Sequence, residues 1–414
     1  MATQTGYKAS ELGMIPLDWD IVEFEEICQI RKQKVNPLFQ SGEFCVELEH
    51  LEPETGLLLG NTVTKPNSSI KTVFQNGDVL FGKLRAYLRK YWLANQDGIC
   101  STEIWAFVAT NKAINPFLFY VVQTEQFIKA ASEAYGTHMP RSDWNVVKNY
   151  LLPLPPLPEQ TAIATALSDT DALISSLQTL IAKKQAIKLS AMQNLLSGKI
   201  RLPEFAQRPD GSPKTTRQTE LGCVPEDWEV VELGEIGYFQ SGVGFPLYLQ
   251  GKKDGEYPVF KVSDLNNIGN EKFMSLSNNY IDEDERKNIA GKIIPENAII
   301  FAKIGAAIFL ERKRINKYKS FIDNNMMAFI PCSNLSAEFL YFCFLQIKLG
   351  DMVEITALPA LSSSRLKLFK IAIPKSTTEQ TAIAQLLSDM DAEIEALEGR
   401  LKKTLAAFVP SAFR

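Results

Sequence analysis

The chain repeats itself, and that limits its possible folds more than any other feature. Residues 11–23 read ELGMIPLDWDIVE and residues 220–232 read ELGCVPEDWEVVE, with eight of thirteen positions identical at an offset of 209. Residues 159–171 (EQTAIATALSDTD) and 379–391 (EQTAIAQLLSDMD) share ten of thirteen at an offset of 220. A weaker anchor, also at 220, pairs the run Phe81 to Ala86 (FGKLRA) with Phe301 to Ala306 (FAKIGA). The second copy therefore gains eleven residues ahead of that anchor. A repeat of about 200 residues is far longer than a solenoid unit, so the pattern predicts two similar domains in tandem. The join near 199–218 collects Pro203, Pro209, Asp210, Gly211, Ser212 and Pro213, a linker composition.

The best-defined elements are two helices. Ile163, Leu167, Thr170, Ile174, Leu177 and Ile181 follow alternating steps of four and three. So do Ile383, Leu387, Met390, Ile394, Leu397, Leu401, Thr404 and Phe408. That is a heptad seam. Pro158 suits a first helical turn, Thr377 with Gln380 has capping-box spacing, and Gly198 suits a helix end. A single stripe buried on a globular domain would give the same spacing. The matched registers instead favour one antiparallel coiled coil, with pseudo-two-fold packing, between two globular heads. A helix over 159–197 would be about 58 Å long. The divergent stretches 28–153 and 237–374 read as mixed α and β, with helical patches near 115–134 and 336–353. The expected fold class is thus α+β.

At 414 residues, 45% hydrophobic and 22% charged, the chain is an ordinary globular protein with a net charge of −4. With two histidines, His50 and His138, a His-rich metal site is not expected. Six cysteines without a Cys-x-x-Cys pair read as reduced thiols. A polar N-terminus and no apolar run of about 20 residues predict a soluble cytoplasmic protein.

No phosphate loop, His-Glu-x-x-His or Gly-x-Ser-x-Gly occurs, so no catalytic constellation is assembled. Gly242-Val243-Gly244 reads as a turn, Asn115-Pro116-Phe117-Leu118 as a helix start, and Asp282-Glu283-Asp284-Glu285 as a solvated face. Basic clusters remain. Lys83, Arg85, Arg89 and Lys90 lie together without an acid, interleaved with Tyr87, Tyr91 and Trp92. The second copy has Lys303, Arg312, Lys313, Arg314, Lys317 and Lys319 with Tyr318. Residues 28–150 hold thirteen basic to eleven acidic groups and residues 237–375 eighteen to fourteen, so the heads are slightly basic within an acidic chain. Such cations suit phosphate contacts, and Arg can fork to guanine. Solvated strand and turn charges are the plainer alternative. Two small, Arg-ended loops are further candidates: Thr137, His138 and Arg141 in one copy, Ser363 and Arg365 in the other.

Taken together, the pattern resembles the DNA-specificity subunit of type I restriction–modification systems. Four features carry the resemblance: the Glu-Leu-Gly-x-x-Pro-x-x-Trp start at Glu11–Trp19 and Glu220–Trp228, the stretch FGKLRAYLRK at 81–90, the proline-rich run into EQTAIA, and the helix end LLSGKIRLP at 195–203. The resemblance implies a non-catalytic subunit whose two target-recognition domains (1–153 and 219–375) each read half of a bipartite DNA site. Helices at 154–198 and 376–414 would space the heads and dock two modification subunits, with a linker at 199–218. S-adenosylmethionine, ATP and Mg would sit on partner subunits, a restriction subunit among them where one is present, and none on this chain. Carried over, Lys83, Arg85 and Arg89 look like DNA contacts, and Lys303 matches Lys83. The second copy departs where Gly305 replaces Arg85 and Phe309-Leu310 replace the basic end, which shifts its expected contacts to Arg312 and Arg314. A protein-interaction scaffold without DNA binding is the competing expectation.

Overall fold

A computed structural model describes residues 6–36, 43–63, 69–133, 140–289, 291–353 and 359–411, without the side chains of 408–411. The chain divides into two compact units. The first is Met1–Leu177 with Leu401–Arg414, and the second is Gln178–Arg400. The boundary falls inside a long helix and not at the proline-rich join, because the two halves of that helix pack on different cores. Ala164 is buried among the aromatic residues of the first unit, whereas Met192, Leu195 and Leu196 are buried in the second. The join itself is folded, with Arg208 donating to the Pro213 carbonyl at 3.1 Å and pairing with Glu226.

The first unit is built on an antiparallel sheet in the order Tyr91–Leu93, Val79–Gly82, Ile104–Ala109, Cys28–Ile30. Val79–Gly82 is central and buried on both faces, hence an unbroken apolar run with no alternation. Phe24, Phe81, Phe107, Phe117 and Phe127 form one aromatic core beneath it. A second sheet runs Lys34–Val35, Lys71–Phe74, Gly98–Ser101, Phe44–Val46, Thr62–Val63.

The second unit repeats the plan. Its main sheet runs Lys313–Asn316, Ile299–Ala302, Met326–Pro331, Gly237–Ser241, with Phe273–Met274 added beside Lys313–Asn316. The register repeats as well: Val79 faces Phe107 in one unit and Ile299 faces Phe329 in the other. The extra residues of the second copy therefore fall between its first main-sheet strand and Ile299–Ala302, the stretch that includes the added strand.

In each unit a two-stranded ladder precedes a long helix. Asp20–Glu23 pairs with Leu151–Leu154 ahead of Leu157–Leu196, and Trp228–Glu232 pairs with Lys370–Pro374 ahead of Thr377–Ser411. The first helix, 40 residues, is about 60 Å long. Leu177 and Ile181 on it are buried, as are Ile383, Leu387 and Ile394 on the other. Within the second unit, Lys184 pairs with Glu393 at 2.6 Å, Lys188 with Asp391, and Arg201 further along with Glu379 at 2.6 Å. Partners fall in number as the first helix rises, so the two run antiparallel. The side chain of Phe408, the last expected seam position, lies outside the described residues.

Candidate nucleic-acid interface

The repeated Glu-Gln that opens each helical motif is structural. Gln160 is buried; its amide donates to the carbonyls of Lys112 and Pro155, both at 2.9 Å, and its carbonyl accepts from Ile114 N–H at 3.2 Å. Gln380 repeats this with the Pro374 carbonyl at 2.9 Å and Ser336 N–H at 3.0 Å. Each glutamine thus ties a long helix to the loop that starts a core helix. The preceding glutamates diverge. Glu159 accepts from Trp19 Nε1 at 2.9 Å, whereas Glu379 is forked by Arg201, which also forks Asp227. The helix end is closed by Gly198 at φ +70, against which Pro225 packs so tightly that a Cβ would lie 2.4 Å from it.

The basic stretch of the first unit leaves the central strand Val79–Gly82 and is clamped at once. Lys83 N–H donates to Glu103 O at 3.0 Å, Arg85 N–H to Pro140 O at 2.9 Å, and Ser142 N–H to Lys83 O at 2.9 Å. A short turn, Ala86–Leu88, follows, with buried Ala86 as its anchor and left-handed Arg85 (φ 54°) and Arg89 (φ 51°) at its ends. A left-handed non-glycine residue is costly, so two together mark a turn held by its surroundings. Arg85 and Tyr87 are exposed on the turn, and Lys83 ahead of it is half-buried. Neither Lys83 nor Arg85 has an ion pair or side-chain hydrogen bond among the described residues. The other expected cations are engaged: Arg89 with Glu125, Lys90 with the Leu48 carbonyl at 2.6 Å, and Arg141 with Glu103 at 2.8 Å. That hydrogen bond, which the Glu103 carboxylate accepts, raises the Arg141 pKa. Tyr91 and Trp92, expected to interleave on the surface, are buried in the core, since strand alternation and a second sheet cover both faces.

The second unit builds the same clamp with other side chains. Lys303 N–H donates to Asn325 O at 2.7 Å, Gly305 N–H to Pro359 O at 2.8 Å, and Leu361 N–H to Lys303 O at 3.0 Å. Its turn is Ala306–Leu310, with Gly305 at φ 81° before it and Glu311 at φ 55° after it. Lys303 Nζ donates to Ser241 Oγ at 3.1 Å. Arg312 is half-buried and makes no ion pair among the described residues. Arg314 does not match its expected place on a reading surface. Its guanidinium turns inward onto the carbonyls of Lys313, at 2.8 Å, and Asn270, and burial lowers its pKa. Lys313 is buried too, on Glu311 and on the Ile347 carbonyl at 2.8 Å. Burial lowers its pKa as well, against the pull of Glu311.

The two kinds of candidate segment are thereby joined. The loop holding Arg141 is bridged to the basic turn through Leu84, and the loop that runs into Ser363 and Arg365 is bridged through Ile304 to Ala360. Ser363 opens a helical turn, and exposed Arg365 donates to Met352 O at 3.2 Å. Thr137 and His138 lie outside the described residues. What the sequence reading missed is the aromatic–leucine pair in both turns, Tyr87-Leu88 and Phe309-Leu310. The signal was there, an aromatic residue and Leu just before the left-handed residue, hidden by the two-residue difference in turn length.

A duplicated α+β scaffold that keeps its clamps and changes the side chains on them defines a two-headed recognition protein. The model of the type I restriction modification DNA specificity domain matches residues 16–188 and again 225–406. The chain belongs to that family and carries its domain twice, as a specificity subunit and not a catalytic one. It is 27% identical over 413 residues to the type I restriction enzyme MjaVIII specificity subunit of Methanocaldococcus jannaschii, covering 92% of this chain and 88% of that one. It is 26% identical over 211 residues to the EcoDI specificity subunit of Escherichia coli, about half of each chain (49% and 47%). Among solved structures, the type I restriction–modification S subunit of M. genitalium aligns with a TM-score of 0.58 at 16% identity over 96% of both chains. The HsdS subunit of Thermoanaerobacter tengcongensis aligns at 0.51 and 21% over 97% of both. Among the described residues, no helix is long and apolar enough to cross a membrane.

Proposed function

We propose that each unit reads one half of a bipartite DNA target through its clamped turn, and that the antiparallel helices set the spacing and dock the modification subunits. The observation that carries this is the conserved clamp with divergent contents: Lys83, Arg85 and Tyr87 in one turn, Lys303, Gly305 and Phe309 in the other. Equal scaffolds place their side chains alike, and unequal side chains read unequal sequences. Cations that make no ion pair among the described residues suit phosphate or guanine, and counterion release adds to their affinity. Two modification subunits would bind S-adenosylmethionine and methylate adenine. ATP and Mg would belong to a restriction subunit where one is present. The chain would work in the cytoplasm, where its DNA and free thiols fit the surroundings.

The test is binding of the complex with its modification subunit to duplexes with two specified blocks and an unspecified gap. Selective binding that falls when Lys83 and Arg85 are both changed to Ala supports the reading. Equal affinity for scrambled duplex, or no effect of the double variant, would favour a protein scaffold.

A further inference from the structure

We propose that Tyr87-Leu88 and Phe309-Leu310 are apolar wedges that enter the DNA of their half-sites and open a base step beside the contacts made by the cations. The inference rests on the DNA-reading function proposed above.

The pair recurs in both units at the same structural place, directly before the left-handed residue that ends the turn, Arg89 or Glu311. Tyr87 is 55% exposed and Leu88 38%, while Phe309 is 55% and Leu310 58%. Scattered exposed apolar residues need no explanation, but two adjacent ones repeated at the tip of a duplicated turn do. Solvent exposure there is imposed by the backbone. Each turn is held by a backbone clamp and bounded by positive-φ residues, and a buried residue, Ala86 or Ile308, anchors its inner side. A rigid tip loses little conformational entropy on insertion.

Charge indicates duplex DNA as the occupant. Among the described residues, Lys83 and Arg85 flank the first pair without an ion pair or side-chain hydrogen bond, and Lys303, held on Ser241 Oγ, and Arg312 flank the second without an ion pair. Of the nearby carboxylates, Glu103 pairs with Arg141, Glu125 with Arg89, and Glu311 with Lys313 and with the N–H groups of Leu349 and Gly350 at 3.0 and 2.8 Å, while exposed Asp351, beyond the Gly350 that Phe309 lies against, makes no ion pair among the described residues. An apolar point framed by cations that make no ion pair among the described residues, with most of its acids paired, fits a stack of bases between two phosphate rows. Wedges of this chemistry partly unstack a step and bend the duplex.

The experiment uses the full chain with its modification subunit and duplexes carrying the motif that the complex methylates. 2-Aminopurine is placed in turn at each base of each block other than the modified adenine. A several-fold fluorescence rise is expected at one step per block. Changing Tyr87 and Leu88 to Ala should abolish the rise in one block only, and changing Phe309 and Leu310 to Ala in the other only. Unchanged fluorescence in variants that still bind would overturn the wedge. So would loss of the modification subunit from the variants without DNA, which would make the pairs a protein-docking surface. Lys83→Ala with Arg85→Ala separates the two levels. If that variant binds as tightly as the parent, the DNA reading itself fails. If it binds more weakly while the wedge variants still give the full fluorescence rise, only the wedge fails.

Discussion

Arg85 N–H donates to the Pro140 carbonyl at 2.9 Å, and Gly305 N–H repeats the bond to Pro359 at 2.8 Å. The bond is kept although the side chain above it is not, which separates what holds the turn from what the turn presents. Arg85 occupies the left-handed region, which costs an L-residue about 1–2 kcal/mol. Arg85→Gly should therefore leave the melting temperature unchanged or slightly higher while weakening DNA binding. Thermal unfolding and binding on one preparation check this, and a large fall in stability would mean that the guanidinium holds the turn.

The reverse change should fail. Gly305 has φ 81° and ψ −170°, a conformation open in practice to glycine alone, although a Cβ there would meet nothing within 4 Å. Gly305→Ala should lower stability by about 1–3 kcal/mol through backbone strain. Denaturant titration reads this, and a neutral result would show the turn free to relax.

Arg201 is buried between Asp227 and Glu379. Removing it leaves Glu379 buried without its partner, which costs about 3–5 kcal/mol. Asp227 is partly desolvated, which would raise its pKa, but Arg201 and Lys214 lower it below the usual aspartate value. A carboxylate with a depressed folded pKa stabilises above its unfolded pKa of about 3.9 and loses that contribution as pH falls through the folded value. Arg201→Met should therefore lower stability at neutral pH and flatten its fall below about pH 4. Unfolding followed across that range tests the sign. An unchanged acid slope would remove Asp227 from the account.

Gln160 satisfies two carbonyls and one N–H at the head of the first long helix. Gln160→Leu should cost about 1–3 kcal/mol for each group left buried and unpaired. Gln380→Leu should do the same in the second unit. Differential scanning calorimetry of the two variants checks this, and a loss under 1 kcal/mol would mean that water replaces the amide.

The helices give a geometric prediction. Removing one heptad from each shortens the rod by about 10 Å. At about 3.4 Å per base pair, the tolerated gap between half-sites should shrink by about three base pairs. Binding to a gap-length series measures it, and an unchanged optimum would show that the helices do not set the spacing.

The duplication, both helices and their seams were legible because identity and 3.6-residue periodicity are local signals. Strand order was not, since Val79–Gly82 is buried on both faces and its neighbours come from Tyr91–Leu93 and Ile104–Ala109. The site was half legible. A run of cations locates the turn, but whether each faces water depends on neighbours distant in sequence: Leu48 takes Lys90, Glu125 takes Arg89, and Asn270 takes Arg314. Gln160 and Gln380 marked the repeat in sequence, and only their buried partners show why the motif is kept.

The most direct measurement is the methylated-adenine motif in DNA from cells expressing this chain with its modification subunit, with the parent turn and with Lys83→Ala plus Arg85→Ala. A two-block motif with a fixed gap, in which the variant relaxes one block and leaves the other intact, is the predicted result. A single contiguous motif, or equal relaxation of both blocks, would contradict it.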